Sequence, residues 1–171
     1  AYSSRFGFSI MRSNLTLSEC APDSTLAFEA YGYFFVKDVI EPDFSVEENE
    51  LRFSWTPIRG IHVKTTIELT KTGHIRTHEI TSDIKCTAYD CGFAVSADDR
   101  KPFEKEESEH EARVKNADGY CAAASLEGNG EGHVLVPDPN TNLVNPKTMI
   151  PMAAYQIDPG TQTIRTQVDY M

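Results

Sequence analysis

The feature that most constrains this chain is alternation. Apolar and β-branched residues recur at every second position: Phe6, Phe8 and Ile10 near the start, then Ile61, Val63, Thr65, Ile67 and Leu69. A period of two puts such residues on one face of an extended chain, whereas a helix needs a period near 3.6. Further runs rich in Val, Ile, Thr, Phe and Tyr cover 25–37, 51–55, 74–81, 92–96, 120–126, 132–136, 148–152 and 163–170. Turn text separates them, notably Lys71-Thr72-Gly73-His74, Asn116-Ala117-Asp118-Gly119 and Asp158-Pro159-Gly160. Residues 70–73 are expected to close a hairpin between two long strands, with Gly73 supplying a left-handed backbone. Only 103–115 hints at helix, and its weak apolar periodicity reads as a solvated loop or short helix rather than a packed one. With about ten or more strands and no repeated βα unit, the fold class predicted is all-β, an antiparallel β-sandwich. The 171 residues suit a single domain over 1–171, and no repeat or low-complexity linker divides them.

Composition narrows the partners. At 40 % hydrophobic and 10 % aromatic the chain can fill a core, which excludes wholesale disorder. Its 26 acidic against 16 basic side chains, a net charge of −10, argue against nucleic acid or an anionic membrane as partner. No apolar run approaches the roughly 20 residues that span a bilayer as helix. Cys20, Cys86, Cys91 and Cys121 form no C-x-x-C pair and have no His at finger-like spacing, so no metal site is expected. Three disulfide pairings are open on paper, and buried thiols are the plainer reading. Asn14-Leu15-Thr16 fits a glycosylation acceptor, which matters only in a secreted protein. The text opens on Ala1 already strand-like, so it reads as a piece of something longer, of open compartment.

Candidate chemistry is sparse. His74 and His78 have the spacing that chelates a metal on a helix, but on a strand they stand about 13 Å apart, at roughly 3.3 Å per residue. What remains is a row, His74, Arg76 and His78, on one strand face. Such a row can hold a carboxylate-bearing ligand, with Arg76 giving a two-pronged grip, or can simply be a polar face turned to solvent or a partner. Tyr2 and Arg5 sit among aromatics near the start, where an Arg can stack, pair with a carboxylate or cap a neighbouring domain. Gly128-Asn129-Gly130-Glu131-Gly132 lacks the following helix of a phosphate loop and reads as a hairpin turn before a strand. The carboxylates Asp23, Asp90, Asp98, Asp99 and those from Glu104 to Glu111 show no pair in a distinguishing apolar setting. No Gly-x-Ser-x-Gly elbow is present, no cofactor motif stands out, and no catalytic residue is assigned.

Three stretches in order resemble a known family. They are Ala1-Tyr2-Ser3-Ser4-Arg5-Phe6-Gly7-Phe8-Ser9 leading to Cys20-Ala21-Pro22-Asp23; Gly73-His74-Ile75-Arg76-Thr77-His78-Glu79-Ile80 with Gly92-Phe93-Ala94-Val95; and Asn145-Pro146-Lys147-Thr148-Met149-Ile150-Pro151 with Ile157-Asp158-Pro159-Gly160-Thr161. Together they are similar to the C-terminal β-domain of a bacterial and fungal family long catalogued as of unknown function. Its full-length members join an N-terminal α-helical toroid to a C-terminal β-sandwich, an architecture similar to heparinase II/III-type polysaccharide lyases. Some members are assigned as glycoside hydrolases acting on glucuronides. The resemblance implies a sandwich that packs on an upstream helical toroid and completes its cleft for an acidic, uronic-acid-containing carbohydrate. It places Tyr2 and Arg5 at the edge where the chain leaves the toroid, Arg5 reading the uronate and Tyr2 positioning sugar or proton. His74, Arg76 and His78 would lie on a sandwich strand. The alternative is a non-catalytic carbohydrate-binding or structural module.

Overall fold

The computed structural model describes residues 9–11, 26–30, 33–36, 44–93, 95–96, 103–127, 131–136 and 148–171. They form sixteen strands: β1 (Ser9–Met11), β2 (Leu26–Ala30), β3 (Tyr33–Val36), β4 (Phe44–Glu47), β5 (Glu50–Ile58), β6 (Ile61–Leu69), β7 (Gly73–Ser82), β8 (Cys86–Cys91), β9 (Val95–Ser96), β10 (Glu104–Glu107), β11 (Glu111–Lys115), β12 (Cys121–Glu127), β13 (Gly132–Leu135), β14 (Thr148–Met149), β15 (Met152–Ile157) and β16 (Gly160–Tyr170). Among the described residues there is no helix. A six-stranded sheet, ordered β1-β3-β2-β8-β15-β13, faces an eight-stranded one, ordered β10-β11-β12-β16-β7-β6-β5-β4, and β14 pairs with β9. Every pairing is antiparallel.

The alternation read in the sequence does what period two requires. In β6, Ile61, Val63 and Thr65 are buried while His62 and Lys64 are exposed. Phe28, Ala88, Tyr155 and Ile157 meet Ile61, Val63, Ile80 and Ile164 between the sheets, and Phe28 tilts against Trp55 at 6.1 Å across the layer. A smaller cluster, Ala27, Cys91, Ile150 and Met152, covers the other side of β8 and β15. Both faces of β15 are therefore largely apolar, and its sequence does not alternate.

The connection from β7 to β8 decides where the polar residues meet. Asp83, Ile84 and Lys85 carry the chain from the eight-stranded to the six-stranded sheet. Asp83 N donates to Gly60 O at 2.8 Å and Ser82 Oγ to Ile84 O at 2.6 Å, which fixes the crossing. Strand β8 then runs back across the inner face of β7.

Several expectations need correction. Residues 103–115 form neither loop nor helix but the β10–β11 hairpin, because Ala112 and Val114 alternate into the core and favour extended chain. Gly73 does close the β6–β7 hairpin, with Thr70 N donating to Gly73 O at 3.0 Å, yet its backbone is not left-handed. Its need is for space: a Cβ there would lie 1.9 Å from Val168 O on β16. The stretch before Gly132 does not close a hairpin, since β12 and β13 belong to different sheets. The run 148–152 divides into β14 and the start of β15. Strands β4, β8, β10 and β11 were not expected. Cys86, Cys91 and Cys121 are buried, whereas Cys20 lies outside the described residues.

Candidate functional site

Strand β7 places His74, Arg76 and His78 on one face, as their spacing requires. That face is the inner one. Arg76 and His78 are each 2 % exposed, and both turn towards Asp90 of β8, which has no solvent contact. Arg76 Nη2 lies 3.0 Å from Asp90 Oδ1, and His78 Nε2 lies 3.3 Å from Asp90 Oδ2. Arg76 Nη2 also donates to the Cys91 carbonyl. His78 Nδ1 shares a hydrogen bond of 2.9 Å with Thr65 Oγ1, which in turn accepts from Trp55 Nε1 at 3.1 Å. On the facing strand, Tyr155 hydroxyl donates to Arg165 O at 2.7 Å and lies 2.8 Å from Thr166 Oγ1.

Arg76 Nε, His78 Nε2 and both Asp90 oxygens lack an aligned hydrogen-bond partner despite the short separations. Burial alone would raise the Asp90 carboxyl, but the Arg76 charge first, and then the neighbouring His78 and Thr166, hold it below its ordinary 3.8. The carboxylate that Arg76 meets is thus the protein's own, through a single Nη2–Oδ1 contact. Neither Arg76 nor His78 presents a free face to a ligand.

His74 differs. It is half-buried, at the end of the sandwich, with its ring edge-on to Phe93 at 5.5 Å. Phe93 meets Tyr170 at 5.6 Å, and Tyr170 stacks on Tyr120 at 6.1 Å with 18° between the rings. This row of aromatics runs from exposed Tyr120 to half-buried His74. Burial first, then the Arg76 charge, pulls His74 from 6.5 down to about 4, so at neutral pH it is an uncharged imidazole.

Tyr2 and Arg5 lie outside the described residues, as do Asp23, Asp98 and Asp99. Among the described residues no group of three His, Cys, Asp or Glu side chains could hold a metal ion, and no helix is long and apolar enough to cross a membrane. Two partners escaped the sequence reading. Asp90 sits in Tyr89-Asp90-Cys91, where no alternation marks an inward side, and Phe93 gave no sign of facing a histidine.

Residues 1–168 match the model of the DUF2264 C-terminal domain. The chain belongs to that family. No curated protein matches it. Solved structures share the fold of this DUF2264 C-terminal domain. A heparan sulfate lyase, HepC of Pedobacter heparinus, is similar at TM-score 0.59 and 12 % identity over 86 % of this chain and 24 % of that one. A heparinase III is similar at 0.55 and 9 %, over 84 % and 23 %. The 4-alpha-glucanotransferase of Thermococcus litoralis is similar at 0.55 and 14 %, over 97 % and 27 %. These are likenesses of fold to carbohydrate-active enzymes, and the chain spans about a quarter of their length.

Proposed function

We propose that this DUF2264 domain is the β-sandwich part of a longer enzyme that hydrolyses or eliminates at uronic-acid-containing sugars. A helical toroid upstream supplies most of the cleft, and the sandwich completes it. The observation that carries this reading is the fold shared with two heparin-type lyases over more than four-fifths of the chain. The end of the sandwich bearing His74 faces the cleft, where its uncharged imidazole can hydrogen-bond the sugar. Arg5 and Tyr2 contact the sugar, Arg5 pairing with the uronate carboxylate. Arg76 and His78 serve from behind, fixing the strand that presents His74.

The test is activity of the longer polypeptide on glucuronides and glycosaminoglycan-like polymers. Ultraviolet absorbance of an unsaturated product reports elimination, and reducing ends without it report hydrolysis. Arg5→Ala should cut kcat/KM at least tenfold, corresponding to one lost charge-assisted contact of about 1.4 kcal/mol or more. Full activity of that variant removes Arg5 from the site, and no turnover of any acidic sugar sinks the reading.

A further inference from the structure

Among the described residues, the exposed large hydrophobic side chains are Leu69, Tyr120, Tyr170 and Met171, at 63, 53, 41 and 60 % exposure. All four gather at one end of the molecule. Leu69 pairs with His74, Tyr170 N donates to Thr72 O at 2.9 Å, and Met171 exchanges backbone hydrogen bonds of 2.9 Å with Cys121, next to Tyr120. They stand on the ends of the adjacent strands β12, β16, β7 and β6, a width of about 14 Å at roughly 4.8 Å per strand. Large apolar side chains left exposed together at one end point to a contact site rather than a solvent face.

We propose that this end is the seat of a further domain of the same polypeptide, one that precedes β1 and meets it with an apolar surface. The inference rests on the reading of this chain as part of a longer enzyme. Leu69 and Met171 carry no group that can bond a sugar hydroxyl, so the patch suits a protein surface better than a saccharide. Its backbone is already fixed by ladder bonds, so docking costs little chain entropy. The strand register supplies the direction. Ser9 pairs with Val36, Phe35 with Phe28, and Leu26 with Asp90, so β1 begins at the end towards which β8 runs, where Phe93 meets His74 and Tyr170. A domain preceding β1 therefore joins the sandwich on this side, and the covalent tether raises its effective concentration there. Docking covers Phe93 and closes the cleft over His74.

Amide hydrogen exchange tests this in the 171-residue chain and in the longer polypeptide. Peptides covering 66–73, 118–121 and 168–171 should exchange at least tenfold more slowly in the longer polypeptide, while 56–62 and 158–162, at the opposite end of the same sheet, should not change. Within the longer polypeptide, Leu69→Lys with Tyr170→Lys should restore fast exchange at those peptides and leave β7 and β8 protected. Equal exchange in the two proteins overturns the proposal. So does slow exchange in the isolated chain that depends on its concentration, which makes the occupant a second copy. Protection of the isolated chain by added oligosaccharide also overturns it and makes the tyrosines a sugar platform. Tenfold protection without turnover of acidic sugars keeps the interface and removes the proposed activity; turnover without protection does the reverse.

Discussion

A carboxylate without solvent contact, 3.0 Å from one buried cation and 3.3 Å from a buried imidazole, is secure only while both neighbours remain. Asp90→Asn leaves Arg76 charged and unpaired between the sheets, and should cost about 3–5 kcal/mol of stability in urea unfolding. Replacing Asp90 and Arg76 together by Leu and Met should recover much of that, because no charge is then stranded. A cost below about 1 kcal/mol for Asp90→Asn would mean that water reaches the cluster. His74 makes a prediction of a different kind. Its folded value of about 4 is depressed from 6.5, so between these pH values the unfolded chain binds a proton that the folded chain refuses. Stability must then fall as pH drops from 6.5 to 4, and His74→Gln should flatten that slope in melts at pH 7, 6, 5 and 4. Below about pH 3.8 the loss continues through Asp90, whose carboxyl is held down only in the folded state. Period two was enough to place His74, Arg76 and His78 on one face. It could not say which face, because a row of polar side chains looks the same whether water or a buried Asp90 receives it. Asp90 itself meets Arg76 only after the chain has crossed between sheets, a relation that no local spacing records.

Strands with one wet face were legible and strands with two covered faces were not. β6 and β7 announced themselves through Ile61, Val63 and Thr65 and through the turn at Gly73. β15 reads Met-Ala-Ala-Tyr, apolar on both sides, and gave no period to count. The β10–β11 hairpin was concealed by charge. All four residues of β10 are exposed, Glu104, Lys105, Glu106 and Glu107, and such text resembles a solvated helix. Its position explains it, since β10 is the edge of the eight-stranded sheet and charges there discourage pairing with another chain. Two glycines separate close approach from backbone conformation. Gly119 has φ of 93° in the turn that Asn116 Oδ1 organises by accepting from Asp118 N at 3.0 Å and Tyr120 N at 3.1 Å, and nothing lies near its absent Cβ. Gly119→Ala should therefore cost only left-handed strain, about 1–2 kcal/mol. Gly73→Ala forces a methyl onto the Val168 carbonyl and must part β7 from β16, so it should cost about 3 kcal/mol or more. Thermal melts of the two variants side by side check the order, and equal losses would contradict the packing of β7 on β16.

Whether the two sheets hold together as one unit can be read from a single side chain. Trp55 is the only tryptophan in the chain. It stands on β5 of the eight-stranded sheet, buried, with its ring against Phe28 of the six-stranded one and its indole N–H on Thr65. Its fluorescence therefore reports the contact between layers, whereas far-UV circular dichroism reports the strands within each layer. The chain passes between the sheets repeatedly, β7 to β8, β12 to β13 and β15 to β16, so neither sheet is a continuous stretch that could stand alone. The buried ions add a second reason. Pulling the layers apart exposes Asp90 and Arg76 to each other's loss and opens Tyr155 and Thr166 at the same moment. Both arguments predict one cooperative transition, with fluorescence and dichroism midpoints coinciding in urea within error. Asp90→Asn should shift both curves together. If fluorescence changes at lower urea than dichroism, the sheets separate while each remains folded, and the Arg76–Asp90 pair is not what joins them.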